Sequence, residues 1–211
     1  ATSDEALLLE LRRGDAVAWE EVDVEPISRL YLSDAPGSGP GSLQMELRFA
    51  YGPYEAPLDT FFPMDDLRRL PGGWTLARLH RKPNLEQQAY QQLSSNEFGL
   101  KRANPPASPG VFILRSKIHP LDFLMRFVPR LTKAGYEIYG EEKLKYGRVN
   151  RAHPSVTLSV TSGIDWFDVK TVVSFGDIEV SLKEIRRVLR RKERFIKLAD
   201  GTVGEIPDEF L

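Results

Sequence analysis

An α+β fold is expected for these 211 residues: mainly antiparallel strands and hairpins, interspersed with helices, in two subdomains. Three observations predict it. Apolar and polar residues alternate with period two at 43–51 and again at 155–161, as half-buried strands require. Helical spacing appears between such stretches, at 84–95, 120–134 and from 182 onward, and nothing repeats at a solenoid period. Antiparallel hairpin signals dominate the end of the chain, which argues against a doubly wound parallel sheet.

The elements follow in order. Residues 4–13 read as a short helix with Leu7, Leu8 and Leu11 on one side and Ser3 or Asp4 as cap. Residues 19–23 fit neither template. Strands are expected at 26–32 and 43–51; in the second, Leu43, Met45, Leu47 and Phe49 share a face. Gly and Pro at 34–42 suppress regular structure and predict a hairpin-type loop. Residues 74–80 read as a strand entered through the turn at 71–73. Pro83 then suits the first turn of a helix over 84–95, with Leu85, Ala89, Gln92 and Leu93 on its inner face and the run of glutamines solvated.

Residues 103–110 hold three prolines and form the strongest break in the chain. It is the expected boundary between an N-terminal subdomain, 1–104, and a C-terminal one, 111–211. A strand follows at 111–114, then a helix over 120–134 that Pro129 should kink or end and Gly135 should stop. An edge strand is expected at 137–139.

The last part is the most regular. Val156, Leu158 and Val160 alternate with Ser155, Thr157, Ser159 and Thr161. Ser162 and Gly163 turn the chain into a strand at 164–175, and a third strand returns at 178–180. Ser181 caps a helix, with Glu184 completing a capping box and Leu182, Ile185, Val188 and Leu189 as its apolar stripe. Residues 199–201 close a hairpin between 194–198 and 202–206. Residues 207–209 read as the opening turn of a further helix. With no initiator Met at its start and a helix opening at its end, the sequence is expected to be an excised piece of a longer polypeptide.

Composition excludes several chemistries. The chain has no cysteine, hence no disulfide, thiolate metal site or cysteine nucleophile, and a reducing cytoplasm suits it. His80, His119 and His153 are scattered without metal-ligand spacing. No apolar run approaches the ~18–20 residues of a membrane span, so no membrane partner is expected. A P-loop needs Gly, Lys and Ser/Thr at fixed offsets, and none is present. Residues 4–7 superficially resemble a metal-binding DEAx box but lack the buried strand such a box requires. Asp165 and Asp168 are three apart in a strand and so project to opposite faces, which rules out a cooperating dyad. No catalytic residue, metal site or cofactor is assigned, and the chain is not expected to be an enzyme.

One feature suggests a contact surface. The formal net charge is only −1, yet residues 1–110 hold 11 Lys/Arg against 16 Asp/Glu, and residues 111–211 hold 18 against 14. Lys183, Arg186, Arg187, Arg190, Arg191, Lys192, Arg194 and Lys197 crowd into 183–197 against Glu184 and Glu193, a local net of +6. With the apolar stripe facing the core, these cations spread over the exposed side of a helix. They can meet nucleic-acid phosphates or dock another domain, and they equally suit a solvated helix end whose dipole favours cations.

Residues 162–169, with Gly163, Asp165, Trp166 and Phe167, together with the helix from Ser181, the hairpin over 193–202 and the ending at 206–210, resemble the bacterial SNF2 helicase-associated domain over about 155–211. The resemblance implies a parent protein that is an ATP-dependent DNA translocase or helicase of the SWI2/SNF2 type, a hydrolase. Its ATPase lobes would lie beyond Leu211 in the same polypeptide and hold ATP and Mg²⁺ there. This chain would then be an accessory region that positions duplex DNA or regulates those lobes, with Gly163, Asp165, Trp166 and Phe167 as structural motif residues. The alternative is a self-standing nucleic-acid-binding or protein-interaction module.

Overall fold

The computed structural model describes residues 18–35, 42–58, 65–70, 73–104, 107–145, 148–164 and 166–210. The helix expected at 4–13 lies outside them, as does most of the 34–42 loop. The chain forms two compact units. One comprises residues 1–31, 44–115 and 131–139; the other comprises 32–43, 116–130 and 140–211. The architecture is α+β with mixed and antiparallel sheets.

In the first unit, β1 (Ala18–Val22), β5 (Asp65–Leu70) and β6 (Gly73–Leu79) form a sheet in the order β1-β6-β5. Here β1 runs parallel and β5 antiparallel to β6. The ambiguous residues 19–23 are thus largely strand. A larger sheet runs β7-β8-β3-β2-β9, from β2 (Ile27–Asp34), β3 (Leu43–Tyr51), β7 (Leu100–Arg102), β8 (Val111–Leu114) and β9 (Glu137–Tyr139), with β4 (Tyr54–Pro57) antiparallel on β3. As its alternation predicts, β3 buries Leu43, Met45, Leu47 and Phe49. Residues 103–110 join β7 to β8, which are antiparallel neighbours. The proline-rich stretch therefore lies inside the first unit, and the two units divide elsewhere. Prolines that cannot donate to a ladder suit a hairpin connection as well as a linker.

Helix α1 (Pro83–Ser94) starts on its proline as expected, but its inner face is turned from the expected one. Leu85 is exposed and Glu86 is buried with Leu93. The cause lies outside the helix. Glu86 is held by Arg81, whose Nε donates to Oε1 at 2.8 Å and whose Nη2 also pairs with Oε2. The Tyr51 hydroxyl donates to the same Oε1 at 2.5 Å and accepts from the Lys82 N–H at 2.9 Å. Burial and the Glu86 carboxylate together push the Tyr51 hydroxyl up to about 12. A buried acid is tolerable only with such partners, and here they set the rotation of the helix.

The outer face of the large sheet carries a second polar ladder. Arg29 donates to Glu55 at 2.7 Å and to Glu137 at 2.8 Å, and the Tyr31 hydroxyl donates to Glu55 at 2.5 Å. Tyr31 stacks on Tyr139, with centroids 5.2 Å apart. Burial alone pushes the Glu55 carboxyl up, but the Tyr31 hydroxyl and the Arg29 guanidinium outweigh it and hold it below its ordinary 4.5. A lowered native pKa gives stability that is complete above the unfolded value and lost as pH falls through the native one. Urea unfolding midpoints should therefore drop as pH falls below about 4.5. Glu55→Gln should be less stable at neutral pH and show a shallower acid dependence. An unchanged acid slope in that variant would remove Glu55 from this role.

In the second unit, α2 (Pro120–Asp122) opens on His119, whose Nδ1 accepts from the Leu121 N–H at 3.3 Å. A π turn, Phe123–Phe127, follows, and the helix resumes as α3 (Val128–Lys133). Pro129 does not end the helix as a single α-helical pattern would require. The wide turn bonds the Val128 N–H to the Phe123 carbonyl. In that register the Leu124 carbonyl faces the missing N–H of Pro129, and the Arg151 guanidinium donates to it instead at 2.8 Å.

Strands β10 (Val149–Asn150), β14 (Phe195–Lys197) and β15 (Val203–Glu205) form a sheet in the order β10-β15-β14. Another, β11-β12-β13, is a meander of β11 (Pro154–Ser162), β12 (Phe167–Phe175) and β13 (Ile178–Val180). Gly201, in left-handed conformation, closes the β14–β15 hairpin, and Asp200 accepts from the Thr202 N–H and hydroxyl at 3.0 and 2.7 Å. Val173, Phe175, Val180, Ile185, Val188, Ile196, Leu198 and Ile206 make this unit's core.

Candidate nucleic-acid interface

Helix α4 (Leu182–Arg190) begins with the expected capping box. The Ser181 hydroxyl accepts from the Glu184 N–H at 3.3 Å, and the Glu184 carboxylate accepts from the Ser181 N–H at 3.4 Å. Ile185 and Val188 are buried, and Leu182 and Leu189 pack half-buried against the core. That stripe fixes the orientation of the rest. Lys183, Arg186, Arg187 and Arg190 stand exposed on the opposite side, continued by Arg191 and Lys192. With Ser181 and Glu184, the five cations Lys183, Arg186, Arg187, Arg190 and Arg191 line an open concavity of about 800 Å³. Among the described residues, no carboxylate lies within ion-pair distance of Lys183, Arg186, Arg187 or Arg190, while Arg191 has only a loose 3.8 Å contact with Glu193.

Arg194 stands apart from this row. Its guanidinium reaches Glu205 at 3.1 Å, Asp122 at 3.7 Å and Asp208 at 3.8 Å. It fastens α2, β15 and the final 3₁₀ turn, Asp208–Phe210, around one cation. Sequence proximity placed it with the contact residues; carboxylates 11, 14 and 72 positions away gather around it.

The helix ends in a Schellman motif. The Glu193 N–H reaches the Val188 carbonyl at 3.1 Å, and the Lys192 N–H reaches the Leu189 carbonyl at 3.0 Å. Glycine is the usual residue at the left-handed position. Here it is Lys192, at φ 54°. Side-chain crowding in that conformation costs about 1 kcal/mol. Lys192→Gly should accordingly raise the thermal midpoint by about 2–4 °C, read by calorimetry or circular dichroism. A lower midpoint would show that the lysine side chain contributes more than its backbone strain costs.

The motif residues sit at the tip of the β11–β12 hairpin. The Gly163 N–H donates to the Trp166 carbonyl at 2.7 Å. A Cβ on Gly163 would overlap the indole of Trp166, whose Cε2 would lie 2.6 Å away. Any larger residue there would have to displace the tryptophan ring, which lies against the glycine backbone. Phe167 opens β12 opposite Ser162, and Asp165 lies outside the described residues. Asp168 pairs with Thr161 on the polar face of the hairpin.

The histidines are apart from one another. His80 pairs with Glu21 at 2.7 Å, His119 caps α2 and stacks on Phe195, and His153 is exposed. Among the described residues, no group of three or more His, Asp or Glu side chains is placed to hold a metal ion, and no helix is long and apolar enough to cross a membrane.

The family model described as bacterial SNF2 helicase associated matches residues 38–210, so the likeness reaches well upstream of the motifs at 155–211. No curated protein and no solved structure matches the chain. The chain belongs to the bacterial SNF2 helicase-associated family.

Proposed function

We propose that this chain is a non-catalytic accessory region of a SWI2/SNF2-type ATP-dependent DNA translocase, and that α4 contacts the phosphates of duplex DNA for the ATPase lobes of the same polypeptide. One observation carries the reading: a row of exposed cations on α4, four of them without carboxylate partners among the described residues, beside an open concavity. A side chain already neutralised, like that of Arg194, has little to offer a phosphate, whereas an unpaired guanidinium releases counterions when it meets one. On this reading ATP and Mg²⁺ are held by the lobes, in a cytoplasmic protein, and this chain holds the nucleic acid in place without reacting with it.

Titration of the 211-residue chain with fluorescent duplex DNA at low salt tests the proposal. Saturable binding that weakens steeply with salt is the expected result. No binding at low ionic strength, or ATP turnover by this chain alone, would contradict it.

A further inference from the structure

Strand β11 is a free edge. Among the described residues it pairs only with β12, and every residue from Ser155 to Ser162 is exposed. Nine residues make an edge about 30 Å long. Natural edges of this length carry lysines, prolines or bulges that prevent further pairing. Past Pro154, β11 has none of these: it holds only Ser, Thr, Val and Leu, with no charge. Leu158 and Val160 are 64% and 65% exposed, and Val156 and Val169 continue the same apolar face.

The strand is also self-complementary. About Leu158, Val156 mirrors Val160, Thr157 mirrors Ser159 and Ser155 mirrors Thr161. We infer that β11 docks a second copy of this chain, the two strands pairing antiparallel about a two-fold axis at Leu158 to give one continuous six-stranded sheet. In that register, from Ser155 to Thr161, each apolar residue meets an apolar one and each hydroxyl a hydroxyl, on the correct faces. A charged partner strand would find no counter-charge along β11. The pairing buries less than the ~800 Å² per partner of a standard interface, so the dimer is concentration-dependent. It presents two copies of α4.

The chain has no cysteine, so single thiols test the register directly. Sedimentation equilibrium of the 211-residue chain should show the mass doubling as concentration rises to roughly 100 µM, without dependence on salt. Leu158→Cys should form a disulfide-linked dimer on mild oxidation, because facing Cα atoms in such a pair lie about 4.5–5.5 Å apart. Ser155→Cys should not link to itself, its copies being about 20 Å apart along the strands, but should link to Thr161→Cys in a mixture. Val160→Lys should stay monomeric. A wild-type chain that remains monomeric, a dimer that survives Val160→Lys, or self-linking at 155 as fast as at 158 would each overturn the inference.

Discussion

Glu86→Ala is expected to cost about 3–5 kcal/mol of folding stability. The carboxylate is buried, and its removal takes a partner from two neighbours at once. Arg81, whose side chain is 7% exposed, loses the carboxylate that both its Nε and Nη2 bond. The Tyr51 hydroxyl loses its acceptor. The loss at the guanidinium is the larger penalty, because attraction to the Glu86 carboxylate offsets much of its desolvation. The loss is comparable to the whole stability of a marginal domain, about 5–15 kcal/mol. Arg81→Met with Glu86→Leu removes both charges, and the double variant should recover most of the loss. Urea denaturation of the single and double variants checks this. A loss below about 1 kcal/mol in the single variant would mean that water already reaches the pair.

Charge reversal at Arg186, Arg187 and Arg190 carries the largest expected effect on binding. Each phosphate contact contributes about −0.9 to the slope of log affinity against log salt. Five contacts from this row give a slope near −4.5, or roughly 500-fold weaker binding between 50 and 200 mM salt. Removing three leaves a slope near −1.8, and the new carboxylates repel the backbone, so affinity at low salt should fall below detection. The fold should survive. All three side chains are exposed, and glutamate is a good helix former, although near a helix C-terminus it gives up about 0.3–1 kcal/mol to the dipole. Circular dichroism of the variant separates lost binding from lost structure. Retention of wild-type affinity would move any nucleic-acid contact away from α4.

What could be read from the sequence was what is decided locally. The alternation in β3, the capping box at Ser181 and Glu184, and the stripe on α4 each depend on residues within a few positions of one another, whereas β11 is a strand as its alternation predicts but is exposed on both faces and not half-buried. These gave the basic face its correct orientation. Features set from a distance were not legible. Leu85 is the expected core residue of α1 by spacing, but Tyr51, 35 positions earlier, captures Glu86 and turns the helix. Arg194 sits among contact cations in sequence, yet Asp122, 72 positions earlier, helps draw it into an ion cluster. Strand β5 escaped notice because Asp65, Asp66, Arg68 and Arg69 interrupt any period-two pattern; only its pairing with β6 makes it a strand. Residues 103–110 show a related limit, since a run of prolines marks a break in structure without saying whether sheet partners close around it.

The contact between Gly163 and Trp166 has a consequence for descent. The indole occupies the space that any larger residue at 163 would need, so position 163 can drift only when the ring moves or is lost. A step from glycine to alanine must push the tryptophan ring aside. The dependence runs one way: a lineage that loses the ring is thereby freed to lose the glycine, whereas losing the glycine first brings the clash.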